Sequence, residues 1–184
     1  HIDLMDGEFV KSKGIKINQI PNLKKYNINS EAHLMTINPG KYISQLKKKG
    51  FNKIIFHYEA IKEEEKINNL IKKIKSDNMK AIIAINPLTN IDNIIKFFDR
   101  IDGVLLMGVY PGKEHQRFIS KVYQKIRILR KISKNLKIQV DGGVNLDNIG
   151  KLKKIGVDYI NSGSFIANAK NPKKVLRELK KIFL

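Results

Sequence analysis

His1-Ile2-Asp3-Leu4-Met5-Asp6-Gly7 opens the chain and reads as a short strand that stops at a turn. Side chains on a strand alternate between faces, so His1, Asp3 and Met5 share one of them. An imidazole and a carboxylate two residues apart can converge on one point. That is how a metal site begins, and a metal beside a carboxylate supports deprotonation of a carbon acid. By itself a His-x-Asp on a strand suits a surface pair equally well. Weight comes from the rest of the chain, where further strand ends carry the complementary groups.

Outward from this stretch the chain repeats one pattern. Short apolar runs are followed by longer amphipathic, Lys-rich stretches. Strands are predicted at 2–5, 32–36, 53–58, 81–85, 103–107, 138–141 and 159–162. Helices are predicted at 42–49, 61–76, 91–98, 118–132, 146–155 and 172–183, with a shorter helical piece near 20–26. Several boundaries carry their own signals. Pro39-Gly40 precedes the helix at Tyr42, and Gly50 follows its Lys-rich last turn. Asn90, Asn145 and Asn171 stand where N-caps are expected, the last just ahead of Pro172.

Strict alternation of strand and helix implies a parallel sheet with right-handed crossovers. An open doubly wound sheet gathers its ligand in one crevice. Here chemically suggestive residues end nearly every strand, which is the habit of a (β/α)8 TIM barrel. Seven strands are found, so one β–α unit is expected ahead of His1. No linker divides the chain, and residues 1–184 read as one barrel domain.

With 184 residues the chain can build a sizeable core. It has no cysteine, which excludes a disulfide framework and a thiolate metal site. No apolar run approaches the roughly 18 residues of a membrane span. The net charge is +19, from 36 basic and 17 acidic residues. Such a balance suits an anionic partner. Only five of the basic residues are Arg, however, and the remaining 31 are Lys. Nucleic-acid readers lean on Arg for bidentate contacts. The Lys residues fall mostly on predicted helices, as a solvated face, and a nucleic-acid groove is not expected. A phosphate ligand fits either reading.

The strand ends supply the chemistry. Ala32-His33-Leu34-Met35 places His33 and Met35 on one face of the second strand. His33 suits either a third ligand beside His1 and Asp3 or a hydrogen-bonded core histidine. The third strand ends in His57-Tyr58-Glu59, either side chain able to support the site from outside the ligand set. Asn86-Pro87-Leu88-Thr89 reads as an architectural turn. The fifth strand ends in Met107-Gly108-Val109-Tyr110-Pro111-Gly112, where Gly112 offers its backbone, and Lys113 and His115 offer charge, to a phosphate. An ordinary turn suits that loop as well. Asp141-Gly142-Gly143 ends the sixth strand, with Asp141 directed at the barrel axis from the side opposite Asp3. Gly142 and Gly143 admit a ligand close to the backbone. Asn161-Ser162-Gly163-Ser164 ends the last strand in a similar way, and phosphate sites of barrels often lie after strands 7 and 8.

Taken together, these stretches resemble the ribulose-phosphate 3-epimerase family. The resemblance is carried by His1-Ile2-Asp3-Leu4-Met5-Asp6-Gly7, His33-Leu34-Met35, Phe56-His57-Tyr58-Glu59-Ala60, Asn86-Pro87-Leu88-Thr89, Met107 with Pro111-Gly112, Gln116 with Phe118, Asp141-Gly142-Gly143-Val144 and Ser162-Gly163-Ser164. It implies a (β/α)8 barrel that interconverts D-ribulose 5-phosphate and D-xylulose 5-phosphate through an enediolate. It implies one divalent metal ion (Zn, Fe(II), Mn or Co) on His1, Asp3, His33 and Asp141. Asp3 and Asp141 would be the two acid/base groups. Met5, Met35 and Met107 would pack around the intermediate, with His33 beside the substrate. Gly142, Gly143, Gly163 and Ser164 would contact its phosphate end. The expected partner is a phosphorylated ketose, bound by a cytoplasmic homo-oligomer without membrane contact. Two departures stand out. The family places a strand with a substrate-contacting serine, and a helix, before His1; without them this polypeptide is expected to be weakly active or inactive and less stable than a complete barrel. The family's glycine-rich fifth loop is Gly112-Lys113-Glu114-His115-Gln116 here, with Glu114 repulsive to a phosphate unless turned outward. A hexulose-phosphate 3-epimerase is the enzymatic alternative, and a degenerate barrel binding phosphate or nucleic acid the non-catalytic one.

Overall fold

A computed structural model describes residues 1–113 and 115–184. Among these residues seven strands form one sheet: β1 (Ile2–Met5), β2 (Glu31–Met35), β3 (Lys53–His57), β4 (Lys80–Ile85), β5 (Gly103–Met107), β6 (Lys137–Asp141) and β7 (Tyr159–Asn161). Every pairing is parallel and the strand order follows the chain order. The helices are α1 (Ile43–Lys49), α2 (Tyr58–Ile61), α3 (Glu64–Ser76), α4 (Asp92–Ile95), α5 (Lys121–Ile132), α6 (Leu146–Lys154), α7 (Ser164–Ala167) and α8 (Pro172–Phe183). The sheet curls, so that Gln139 of β6 and Asn161 of β7 both hydrogen-bond Glu31 of β2. β1 and β7 are its two edges.

Apolar side chains on the outward face of the strands meet the inward stripes of the helices. Ile54, Phe56, Ile83, Val104, Leu106, Ile138 and Val140 are wholly or almost wholly buried there, against Ile67, Ile71 and Ile74 of α3, Val122, Ile126 and Leu129 of α5, and Ile149 and Leu152 of α6. Burying a side chain of this size stabilises the fold by about 1.5–3 kcal/mol relative to exposing it. The other strand face lines the barrel. Its apolar part is Ile55, Ile82, Ala84, Leu105 and Met107, from β3 to β5.

Of the predicted caps, Gly50, Asn145 and Asn171 take their places, whereas α4 starts after Ile91 and the Asn90 side chain accepts only from Asp92 N–H. Gly50 ends α1 in the left-handed conformation with φ of 93°, Asn145 accepts from the backbone N–H groups of Asp147 and Asn148 at the start of α6, and Asn171 accepts from Lys174 at the start of α8. Several elements differ from expectation: α7 has no predicted counterpart, and α5 begins at Lys121 where 118 is predicted. The helix predicted at 61–76 begins earlier and breaks at Lys62, whose φ is 60°, into α2 and α3. The stretch 91–98 is α-helical only over α4; Phe97 and Phe98 continue with three-residue bonds to Ile94 and Ile95. The piece near 20–26 is two 3-10 turns, Ile17–Gln19 and Leu23–Tyr26. No helix among the described residues is long and apolar enough to cross a membrane.

Candidate active site

Parallel strands in chain order bring all their C-terminal ends to one rim. β1 and β2 pair with Asp3 opposite His33 and Met5 opposite Met35. β5 and β6 pair with Met107 opposite Asp141. Because the sheet curls, β1 and β6 approach each other across the barrel. The ligating atoms of His1, Asp3, His33 and Asp141 lie within 4.8 Å of one another. They sit at the floor of a cavity of about 1250 Å³ whose wall includes Asp3, Met5, Met35, Met107 and Asp141. Farther up, the wall includes Gly112, Lys113, His115, Gly142, Gly143, Gly163 and Ser164. His1 and His33 are not part of the wall and meet it through the cluster with Asp3 and Asp141, while His57, Glu59 and the turn from Asn86 to Thr89 lie outside it. Glu114 lies outside the described residues.

Each imidazole of the cluster uses both nitrogens. His1 Nε2 lies 3.1 Å from Asp3 Oδ1, and its Nδ1 lies 2.8 Å from Glu31 Oε1. His33 Nδ1 lies 2.9 Å from Asp3 Oδ1, and its Nε2 lies 2.9 Å from His57 Nε2. Asp141 Oδ2 is 3.8 Å from His1 Nε2 and 3.6 Å from His33 Nδ1. The nitrogens facing the centre are thus Nε2 of His1 and Nδ1 of His33.

These contacts split the two aspartates. Burial pushes Asp141 up to about 6, only partly opposed by His1. Asp3 is desolvated too, but the imidazoles of His1 and His33 beside it outweigh that and hold it well below the usual carboxylate range. Burial pushes His33 down to about 4. It would lower His1 as well, but Asp3 and Glu31 outweigh it and push that ring up to about 10. Two carboxylates in one site whose environments drive their protonation apart suit the acid and base halves of a proton transfer.

Around the cluster stands a polar shell; the motif reading named His57 and Glu59 in it but missed the part played by Glu31, Gln139 and Asn161. Glu31 takes hydrogen bonds from Gln139 Nε2 at 2.5 Å, Asn161 Nδ2 at 3.3 Å and Lys53 Nζ at 3.4 Å, besides the one from His1. Strand alternation held the signal: Glu31 is two residues before His33, on the same face. Glu59, in the first turn of α2, accepts from Asn86 N–H at 2.7 Å and from the Thr89 hydroxyl, and faces His57 Nδ1 at 3.2 Å. The turn at Asn86 and Thr89 is tied in place by Lys125 Nζ, which donates to both carbonyls. Above, Asp6 accepts from Glu8 and Phe9 N–H and from Ile37 N–H, pinning the loop after β1 to the end of β2.

The glycines differ in what they do. Gly108 N–H donates to Asp141 carbonyl at 2.6 Å, and a Cβ on Gly108 would stand 2.2 Å from the Gly142 carbonyl. Gly142 has φ of 90°, a conformation that side chains disfavour. Close approach of these two loops thus fixes Asp141. Gly163 has ordinary dihedral angles and open space beside it.

Seven parallel strands around a polar cluster at their C-terminal rim define a TIM-barrel-like α/β protein. Solved structures agree on that fold. 3-Hexulose-6-phosphate synthase from Salmonella typhimurium superposes with a TM-score of 0.70 at 15% identity, covering 88% of this chain and 76% of that one. A second 3-hexulose-6-phosphate synthase gives 0.72 at 16% identity, with 100% and 86% covered. Sequence relatives are nearer. The ribulose-phosphate 3-epimerase of Schizosaccharomyces pombe is 33% identical over 184 residues, 98% of this chain and 79% of its own length. That of Buchnera aphidicola subsp. Baizongia pistaciae is 36% identical over 190 residues, 99% and 82%. A cytoplasmic isoform from Oryza sativa subsp. japonica is 32% identical over 185 residues, 98% and 80%. Residues 1–167 match the model of the ribulose-phosphate 3-epimerase family. The chain belongs to that family, and the family is one of enzymes.

Proposed function

We propose that this chain interconverts D-ribulose 5-phosphate and D-xylulose 5-phosphate by proton transfer at C3, with Asp3 and Asp141 as the acid/base pair. The observation that carries the reading is the single cluster in which both carboxylates and two imidazoles bring their ligating atoms within 4.8 Å of one another, at the floor of a large cavity.

Two nitrogen and two carboxylate donors fit a divalent ion such as Zn, Fe(II), Mn or Co. His1 Nε2, His33 Nδ1, Asp3 and Asp141 are the groups that would hold it. When bound, such an ion supplies positive charge for the oxyanion that develops as the C3 proton leaves. Asp3, the carboxylate held on the ionised side of the pair, removes the proton from one face of C3. Asp141, held toward its protonated form, delivers a proton to the opposite face, and the stereocentre inverts. In the reverse direction the two exchange roles. Met5, Met35 and Met107 line the reacting end with groups that do not titrate. The phosphate is assigned to the other end of the cavity, beside Gly142, Gly143, Gly163, Ser164, Lys113 and His115. A cytoplasmic homo-oligomer is part of the same reading.

The test is epimerisation of D-ribulose 5-phosphate by this chain and by Asp141→Asn, with and without added divalent metal. Turnover is expected to need metal and to fall roughly 10²–10⁴-fold in the variant. Equal turnover in the variant, or turnover confined to a six-carbon ketose phosphate, would overturn the assignment.

A further inference from the structure

A line of four side chains runs inward from the cluster: Asp3, His33, His57 and Glu59. Both rings are fully buried. They stack with centroids 5.0 Å apart, and Phe9 covers His57 at 4.8 Å. The line contains three contacts between hydrogen-bonding atoms; if both imidazoles are neutral, it holds only two protons.

Where those protons lie follows from the inner end. An ionised carboxylate can only accept. Glu59 Oε1 is already committed to Asn86 N–H and the Thr89 hydroxyl. Its Oε2, 3.2 Å from His57 Nδ1, therefore requires a proton on that nitrogen. His57 Nε2 then carries a lone pair. The facing nitrogen 2.9 Å away is His33 Nε2, which must supply the proton between them. His33 Nδ1 is left with a lone pair aimed at Asp3 and Asp141. The outermost contact thus holds acceptors on both sides and no proton.

We propose that Glu59, acting through His57, is a positioning residue that fixes His33 with its proton on Nε2 and its lone pair on Nδ1, so that the cluster is completed by a metal cation. This rests on the metal-dependent reading above. His1 has a carboxylate beside its Nδ1 without an intervening ring, Glu31 at 2.8 Å. Carboxylate partners of ligating imidazoles are known to set ring tautomer and orientation; here the effect passes through a second imidazole.

Glu59→Gln is the discriminating variant, because it is isosteric and inverts the line. The Gln carbonyl oxygen is claimed by Asn86 N–H and Thr89, so the amide NH₂ faces His57 and donates. His57 then protonates on Nε2, His33 takes its proton on Nδ1, and that proton meets Asp3 where the lone pair was needed.

The experiment is ¹⁵N NMR of the histidine rings during titration with zinc ion, in the unaltered chain and in Glu59→Gln, with zinc affinity measured alongside. In the unaltered chain His57 is expected to carry its proton on Nδ1 and His33 on Nε2, with zinc shifting His33 Nδ1. In Glu59→Gln both tautomers reverse and zinc affinity falls about 10–100-fold. A proton on His57 Nε2 in the unaltered chain, or unchanged tautomers and affinity in Glu59→Gln, overturns the proposal. Should the variant not fold, the tautomers of the unaltered chain decide alone. Should zinc shift none of the histidines, the metal-dependent reading of the site falls, and the proton positions still judge the line from Glu59 to His33.

Discussion

The barrel lining has two unlike halves. From β3 to β5 it is Ile55, Ile82, Ala84, Leu105 and Met107, an apolar patch. On β1, β2, β6 and β7 its polar part is Asp3, Glu31, His33, Gln139 and Asn161, joined with His1 by hydrogen bonds across the barrel, with Asp141 3.6–3.8 Å from the two imidazoles and Met5 and Met35 at the rim. The halves meet at His57, and Leu105 and Gln139 are register partners on either side of a boundary. The apolar half is held by area and volume, so shape-conserving exchanges there are tolerated. The polar half is held by mutual satisfaction, and deleting one partner strands the others. Stability can be altered in one half and chemistry in the other.

The largest effect expected is kinetic: the loss of turnover in Asp141→Asn, with little change in unfolding midpoint. Its counterpart is Leu105→Ala, in the fully buried apolar half. Denaturant titration should show a loss of about 2–5 kcal/mol, with zinc affinity of the folded protein unchanged. A fall in affinity there would show that the halves are coupled. Gln139→Leu, one strand away, removes two donated hydrogen bonds. It also removes a carbonyl oxygen without a protein partner among the described residues. The net cost expected by the same titration is about 1–2 kcal/mol, together with weaker zinc binding through Glu31 and His1.

Acid sharpens the comparison further. Despite partial burial, Glu31 is pulled by its hydrogen bond to His1 from 4.5 down to about 2. A carboxylate depressed on folding contributes stability that is fully present above its unfolded value and is lost as pH falls through the folded one. Metal-free protein should therefore lose stability between about pH 4.5 and pH 2, and Glu31→Gln should flatten part of that slope in acid denaturation. Smallest is Asn145→Ala, outside the lining, expected to cost about 1 kcal/mol through the lost cap of α6 and to leave both halves unchanged.

Much of this was legible in the chain. Strand ends could be read because apolar runs alternate with Lys-rich helices, and His1, Asp3, His33 and Asp141 occupy strand positions whose faces follow from period two. What escaped has physical reasons. The break at Lys62 has no glycine or proline to announce it; a lysine adopts the left-handed conformation. Thr89 and Asn86 looked like a plain turn because their partner, Glu59, lies 30 and 27 residues away. Glu31 sits at the start of a strand rather than its end, and its bonds to Gln139 and Asn161 arise only once the sheet curls.

That last feature bears on the order in which the molecule assembles. Each strand pairs with its successor in sequence, so every ladder closes a short loop at small entropic cost. The bonds from Glu31 to Gln139 and Asn161 span 108 and 130 residues and return nothing until the ribbon of strands has bent round on itself. Folding is therefore expected to lay down the middle of the chain first and the floor of the cavity last. Pulse-labelled amide exchange during refolding would show β3 to β5 protected before β1 and β7; simultaneous protection would mean that curling and pairing are a single event.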